Sequence, residues 1–157
     1  MQQPLLHIVL HSPEIPQNTG NIGRTCVALD AKLWLIQPIG FQLDEKRLLR
    51  AGLDYWQHLD IEVLPSWNAA LDAFAGYNIW YFSKRANKTY SKVSYHRGDV
   101  LVFGSETQGL PPSLIDGHPE EALYIPIRPP VRSLNLSNAV AIAAYEANRQ
   151  IDPANTC

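Results

Sequence analysis

Gly104-Ser105-Glu106-Thr107-Gln108-Gly109 is a glycine-bounded stretch directly after the apolar run Val100 to Phe103. Its two glycines have the separation found in a phosphate-cradling loop, and glycine lets backbone N–H groups approach a ligand closely. Leu110 and Pro111 follow, so the Lys and Ser/Thr that complete such a loop are missing, as is a G-x-G-x-x-G dinucleotide fingerprint. A bare turn and a ligand loop both fit. A second candidate is the stiff stretch from Arg128 to Asn135, where Ser133, Asn135, Ser137 and Asn138 crowd more hydroxyls and amides than one helix cap needs. No acid lies between Leu123 and Tyr145, which leaves this end of the chain locally cationic. The third is the basic segment Lys84, Arg85, Lys88, Lys92 and Arg97, free of acids up to Gly98 and interleaved with Tyr90 and Tyr95. Such cations neutralise phosphates and such rings stack unpaired bases; a solvated loop is the plain alternative.

Other chemistries lack their residues. His7, His11, His58, His96 and His118 form no H-E-x-x-H or paired arrangement, so no metal is expected, and His7 and His11 read as core or edge residues. No serine sits in a G-x-S-x-G elbow. Cys26 and Cys157 are far apart without zinc spacing, which favours a reduced chain over a disulfide framework, with Cys26 packing on a helix. Thirteen basic against fifteen acidic residues give −2, which excludes a uniformly basic coat protein but permits a local basic patch.

The elements that must position these groups alternate. Leu5 to Leu10, Leu33 to Ile36, Ile61 to Leu64, Ile79 to Phe82, Val100 to Phe103 and Leu123 to Ile127 read as strands. Ile22, Cys26, Val27 and Leu29 mark a first helix with Thr19 as its N-cap, and Asp44 to Leu49 a short charged one. Ser66 caps a helix with Trp67, Ala70, Leu71 and Phe74 on one face, and a last helix runs from about Ser137 to Gln150, ended by Asp152-Pro153. Continuous apolar strands separated by helices imply an α/β fold, mostly parallel and covered on both faces. The 157 residues, 46% hydrophobic and without repeat or linker, suit one domain spanning 1–157. There is no secretory leader pattern and no apolar run near ~18 residues, so a cytoplasmic chain without a membrane span is expected.

Three separated segments add specificity when taken in order. They are Pro13-Glu14-Ile15-Pro16-Gln17-Asn18-Thr19-Gly20-Asn21-Ile22-Gly23-Arg24, then Phe103 to Pro111, then Arg132-Ser133-Leu134-Asn135-Leu136-Ser137-Asn138-Ala139. Together they resemble the three motifs of the SPOUT ribose 2′-O-methyltransferases. Asp44 to Tyr55 is similar to a further stretch of the small single-domain members, which methylate the wobble nucleotide (position 34, cytidine or modified uridine) of leucine tRNAs. Gly23 departs from the pattern, standing where relatives usually carry an apolar residue.

The resemblance implies a C-terminal trefoil knot, S-adenosylmethionine (SAM) as cofactor, tRNA as substrate and a homodimer. It puts Phe82, Gly104, Ile125 and Ser133 against the cofactor and Arg24 at the methyl-transfer step. It links Arg85 and Tyr145 to tRNA, alongside Lys84 and Lys88 of the basic segment. Glu106 would hold Arg24 or the amine of SAM, and Ser133 and Asn135 the cofactor or the ribose. Arg24 is either a base or a charge that stabilises the developing alkoxide. On the residues alone, an arginine beside an apolar helical face needs a partner or a task, because unpaired buried charge is expensive. A salt bridge to Glu14 or Glu106 is the plain alternative. Two other functions stay open: methylation of another tRNA or rRNA position, and a non-catalytic RNA-binding module. The joint presence of Arg24, Glu106, Ser133 and Asn135 favours the enzyme.

Overall fold

The computed structural model describes residues 2–43 and 54–155. Its strands are β1 (Leu6–His11), β2 (Lys32–Ile36), β3 (Ile61–Leu64), β4 (Ile79–Phe82), β5 (Lys88–Thr89), β6 (Asp99–Phe103) and β7 (Ala122–Tyr124). They form one sheet of order β3-β2-β1-β6-β4-β7-β5, and every neighbouring pair is parallel. Because successive side chains point to opposite faces, the apolar runs feed two cores. Leu6, Ile8 and Leu10 join Leu33, Leu35, Leu101, Phe103 and Leu123 on one face. Val9, Trp34, Ile36, Val100, Val102 and Tyr81 fill the other.

Helices α1 (Pro16–Leu29) and α4 (Leu136–Ile151) cover the first face through Ile22, Cys26, Leu29, Val140, Ala143, Ala144 and Ala147. Helix α2 (Trp67–Ala73) and the short α3 (Pro112–Asp116) lie over the second, with Ala70, Phe74 and Ile115 buried there. Ser66 caps α2 by accepting from the Ala69 N–H, as its sequence position suggests. Of the polar residues crowded before α4, Asn135 is the cap, accepting from the N–H groups of Ser137 and Asn138.

Three expectations need correction. Helix α1 begins at Pro16, whose fixed φ and missing N–H suit a first turn. Thr19 therefore lies within the helix, buried, with its hydroxyl unpartnered among the described residues. Strand β7 stops at Tyr124, because Pro126 has no N–H for a ladder and edge strand β5 offers only two residues to pair with. Ile125 and Ile127 are released into a loop. Lys88-Thr89, in the basic segment whose plain alternative is a solvated loop, is that edge strand. The expected helix at Asp44–Leu49 lies outside the described residues.

His7 is a core residue. Its Nδ1 accepts from the Trp34 indole N–H at 3.0 Å, and burial, aided by the nearby Lys32 cation, lowers its pKa to about 4. Gly23 is explained as well: a Cβ there would come within 3.0 Å of Trp56 and Leu59, so the tryptophan ring occupies the volume that a larger residue would claim. Among the described residues no helix is long and apolar enough to cross a membrane. The chain runs outward one way from β1 through β2 to β3, and β6 lies on its other side. This reversal is where an open parallel sheet leaves a crevice beyond its carboxyl ends.

Candidate functional site

Four loops meet over that crevice, following β1, β4, β6 and β7. Between them is a cavity of about 470 Å³, within the size range of small-molecule sites. Its floor is apolar. Phe82 stacks on Phe103 with ring centroids 4.6 Å apart, beside Leu123 and Ile125. Its rim is polar, with Ser133, Asn135 and Glu106, and exposed Lys84 and Arg85 give it positive charge. The cavity thus gathers Phe82, Gly104, Ile125, Ser133, Glu106, Asn135, Lys84 and Arg85 from four stretches of sequence.

Gly104 is required by its surroundings. A Cβ there would lie 1.9 Å from the Gly109 carbonyl carbon and 2.1 Å from the Leu110 nitrogen, because the loop folds back on its own base. Gly109 makes that return with φ +69, a left-handed conformation that glycine adopts without strain.

Glu106 is engaged by the start of α1. Its carboxylate accepts from the backbone N–H groups of Glu14 at 2.9 Å and Ile15 at 2.6 Å, and from Asn18 Nδ2 at 3.3 Å. It fixes the start of α1 across the crevice and makes no ion pair with Arg24. Asn18 continues the chain of contacts, since its Oδ1 accepts from Asn135 Nδ2 at 3.0 Å. One residue from each of the three motif segments is therefore joined in a single hydrogen-bonded line.

The first motif segment contains Asn18 without marking its role. A finer signal was present: Asn18, Ile22 and Cys26 share a helical face, so a buried amide there needed partners. Asn18 is 5% exposed and has both.

Arg24, Lys88 and Tyr145 lie outside the cavity lining. Arg24 is exposed on α1, so the argument from buried charge does not apply to it. Its guanidinium carbon sits 4.9 Å from the Tyr55 ring centroid, and the Tyr55 hydroxyl donates to the Gly20 carbonyl at 2.6 Å. Lys88 pairs with Glu120 at 3.1 Å. Tyr145 is 49% exposed on α4. Tyr95, read as a base-stacking ring, is instead core: it is 4% exposed and packs edge-on against Trp80. Among the described residues no group of His, Cys, Asp and Glu could hold a metal ion.

Comparison with known proteins follows the same geometry. Residues 5–145 match the SpoU rRNA Methylase family. The tRNA (cytidine(34)-2′-O)-methyltransferase of Escherichia coli K12 is 45% identical over 148 residues, covering 94% of each chain. A solved structure concerned with 2′-OH methylation of C/U34 on tRNA superposes with a TM-score of 0.87 at 47% identity, covering 94% of this chain and 96% of that one. The methyltransferase AviRb of Streptomyces viridochromogenes, solved with S-adenosylmethionine, shares the fold with a TM-score of 0.81 at 23% identity, over 96% of this chain and 59% of its own. A cavity assembled from the three motif segments, on a sheet that superposes over nearly its whole length, makes this chain a member of the SpoU methylase family.

Proposed function

We propose that this protein is a SAM-dependent tRNA ribose 2′-O-methyltransferase acting on nucleotide 34 of leucine tRNAs in the cytoplasm. The observation that carries this reading is the convergence of the three motif segments on one cavity, tied together by Glu106, Asn18 and Asn135. The lining suits SAM: the floor around Phe82, Phe103 and Ile125 offers apolar surface to adenine, and Ser133 and Asn135 offer hydroxyl and amide groups to its polar parts. When bound, SAM supplies an electrophilic sulfonium methyl group. The chain's own residues align the acceptor and manage charge.

Lys84 and Arg85 draw phosphates to the rim. Arg24 receives the 2′-oxygen. A guanidinium has donors and no acceptor, and that of Arg24 rests against the Tyr55 ring. Arg24 therefore stabilises the developing alkoxide, and the proton passes to an RNA phosphate. The chain works as a homodimer in which exposed Ile142 and Tyr145 on α4 meet the second copy, bringing Tyr145 close to RNA held by its partner. The C-terminal segment that brings the 133–139 stretch beside the 104–110 loop is threaded as a trefoil knot.

Incubation of the protein with tritiated SAM and bulk RNA from a strain lacking it tests the reading. Label in leucine tRNA at nucleotide 34 is expected. Label confined to rRNA or to another tRNA position, or no transfer, would overturn it.

A further inference from the structure

Two loops hold each other through carboxylates that cross in opposite directions. Glu106, after β6, accepts from the amides of Glu14 and Ile15. Glu14, before α1, reaches back: its Oε1 accepts from the Thr107 hydroxyl at 2.7 Å and the Thr107 N–H at 3.3 Å. Ser105 contributes a further donor, and together these donors hold the Glu14 carboxyl below the usual carboxylate range. The backbone of Glu14 is fixed from its other side. The Gly40 N–H donates to the Pro13 carbonyl at 2.9 Å, and a Cβ at Gly40 would come within 3.0 Å of the Glu14 Cα.

The 104–109 loop is closed at its base, where the Gly109 N–H donates to the Ser105 carbonyl at 2.9 Å and the Gln108 N–H to the Ser105 hydroxyl at 3.3 Å. A loop closed on itself moves as one piece. Its tilt over the cavity is set by whatever grips its tip, and Thr107 at the tip is gripped by Glu14. Ser105, Glu106, Thr107 and Gln108 all line the cavity, whereas Glu14 does not.

We infer that Glu14 is a positioning residue of the cofactor site: through Thr107 it holds the 104–109 loop in its ligand-binding arrangement before the ligand arrives. This rests on the proposed function, in that the ligand is taken to be SAM. What the role needs is an acceptor at Oε1. Glu14→Gln keeps that acceptor, and Glu14→Ala removes it.

Two measurements test it. In cofactor-free protein, amide hydrogen exchange of residues 105–109 should quicken several-fold in Glu14→Ala and stay near wild type in Glu14→Gln, with melting temperature little changed. Calorimetry should show SAM binding about five- to tenfold weaker in Glu14→Ala, as expected for lost hydrogen bonds, and within about twofold of wild type in Glu14→Gln. Thr107→Val should weaken it similarly, and the double variant should be little worse than either single one. Wild-type exchange and affinity in Glu14→Ala would overturn the inference. Equal loss in Glu14→Gln and Glu14→Ala would overturn it too, by showing that an acceptor at this position does not hold the loop. A wild-type protein that binds no SAM would remove the functional reading instead, while the exchange measurement would still decide the part played by Glu14.

Discussion

Arg24 is an exposed cation resting on an aromatic face, and that limits what its removal can do to folding. An exposed cation–π contact is worth ~0.5–1 kcal/mol, so Arg24→Ala should lower stability by no more than that. If Arg24 serves the 2′-oxygen, single-turnover methyl transfer should fall at least ~10²-fold while calorimetric SAM binding is kept. Arg24→Lys should restore little, because a point charge on a flexible stem does not reproduce the planar fork. Near-normal turnover in Arg24→Ala would remove this residue from the mechanism. His7 makes a different demand, on the solvent. Its pKa falls from 6.5 to about 4 on folding, so the unfolded chain binds the proton more readily than the folded one. The stabilisation is complete above pH 6.5 and is lost as pH drops toward 4, by up to ~3 kcal/mol. His11, also lowered by burial, adds to the loss in the same direction. Thermal melts between pH 7 and pH 4.5 should show this decline, and His7→Gln, which keeps an acceptor for Trp34 but gains no proton, should flatten part of it.

Among the elements, the basic segment divides in two. Lys84 and Arg85 stand exposed at the cavity rim, whereas Lys88 is on the edge strand with its charge engaged by Glu120. Replacing Lys84 and Arg85 together with Ala should weaken tRNA binding and reduce the salt slope by roughly two units or less, with SAM affinity changing far less than tRNA affinity. Lys88→Ala should change the slope much less, and an equal change would mean that its ion pair opens to RNA. The same elements show how far local sequence reasoning reaches. Strands β1, β2, β4 and β6 were legible because a strand buried on both faces reads as an unbroken apolar run. The start of α1 was not, because a distant carboxylate on Glu106 supplies the acceptor that a neighbouring hydroxyl would otherwise provide. Asn135 could be placed among the capping candidates, but its contact with Asn18 depends on how two distant helices approach.

For the whole molecule, strand adjacency was beyond the reach of periodicity, since apolar runs declare burial and not neighbours. Phe82, Gly104, Ile125 and Ser133, which the motif resemblance singles out, come from distant stretches and the fold brings them to one cavity. The resemblance also implies a dimer, in which the proposed arrangement seats Ile142 and Tyr145 of α4 against the second copy. Sedimentation at micromolar concentration should therefore give twice the 17.6 kDa chain mass, and a fully active monomer would exclude the dimer. The sheet order has one more consequence, for synthesis. Leu6 is paired with Asp99 and Leu10 with Phe103, so one edge of β1 stays open on the ribosome while β2 and β3 are already available on the other. An apolar strand with an unpaired edge invites association with other nascent chains, and contacts this distant in sequence form slowly. The crevice is finished later still, when the stretch around Ser133 to Ala139 arrives. A nascent chain ending before that point cannot gather a ligand, so whatever stability a ligand lends comes only to the finished protein.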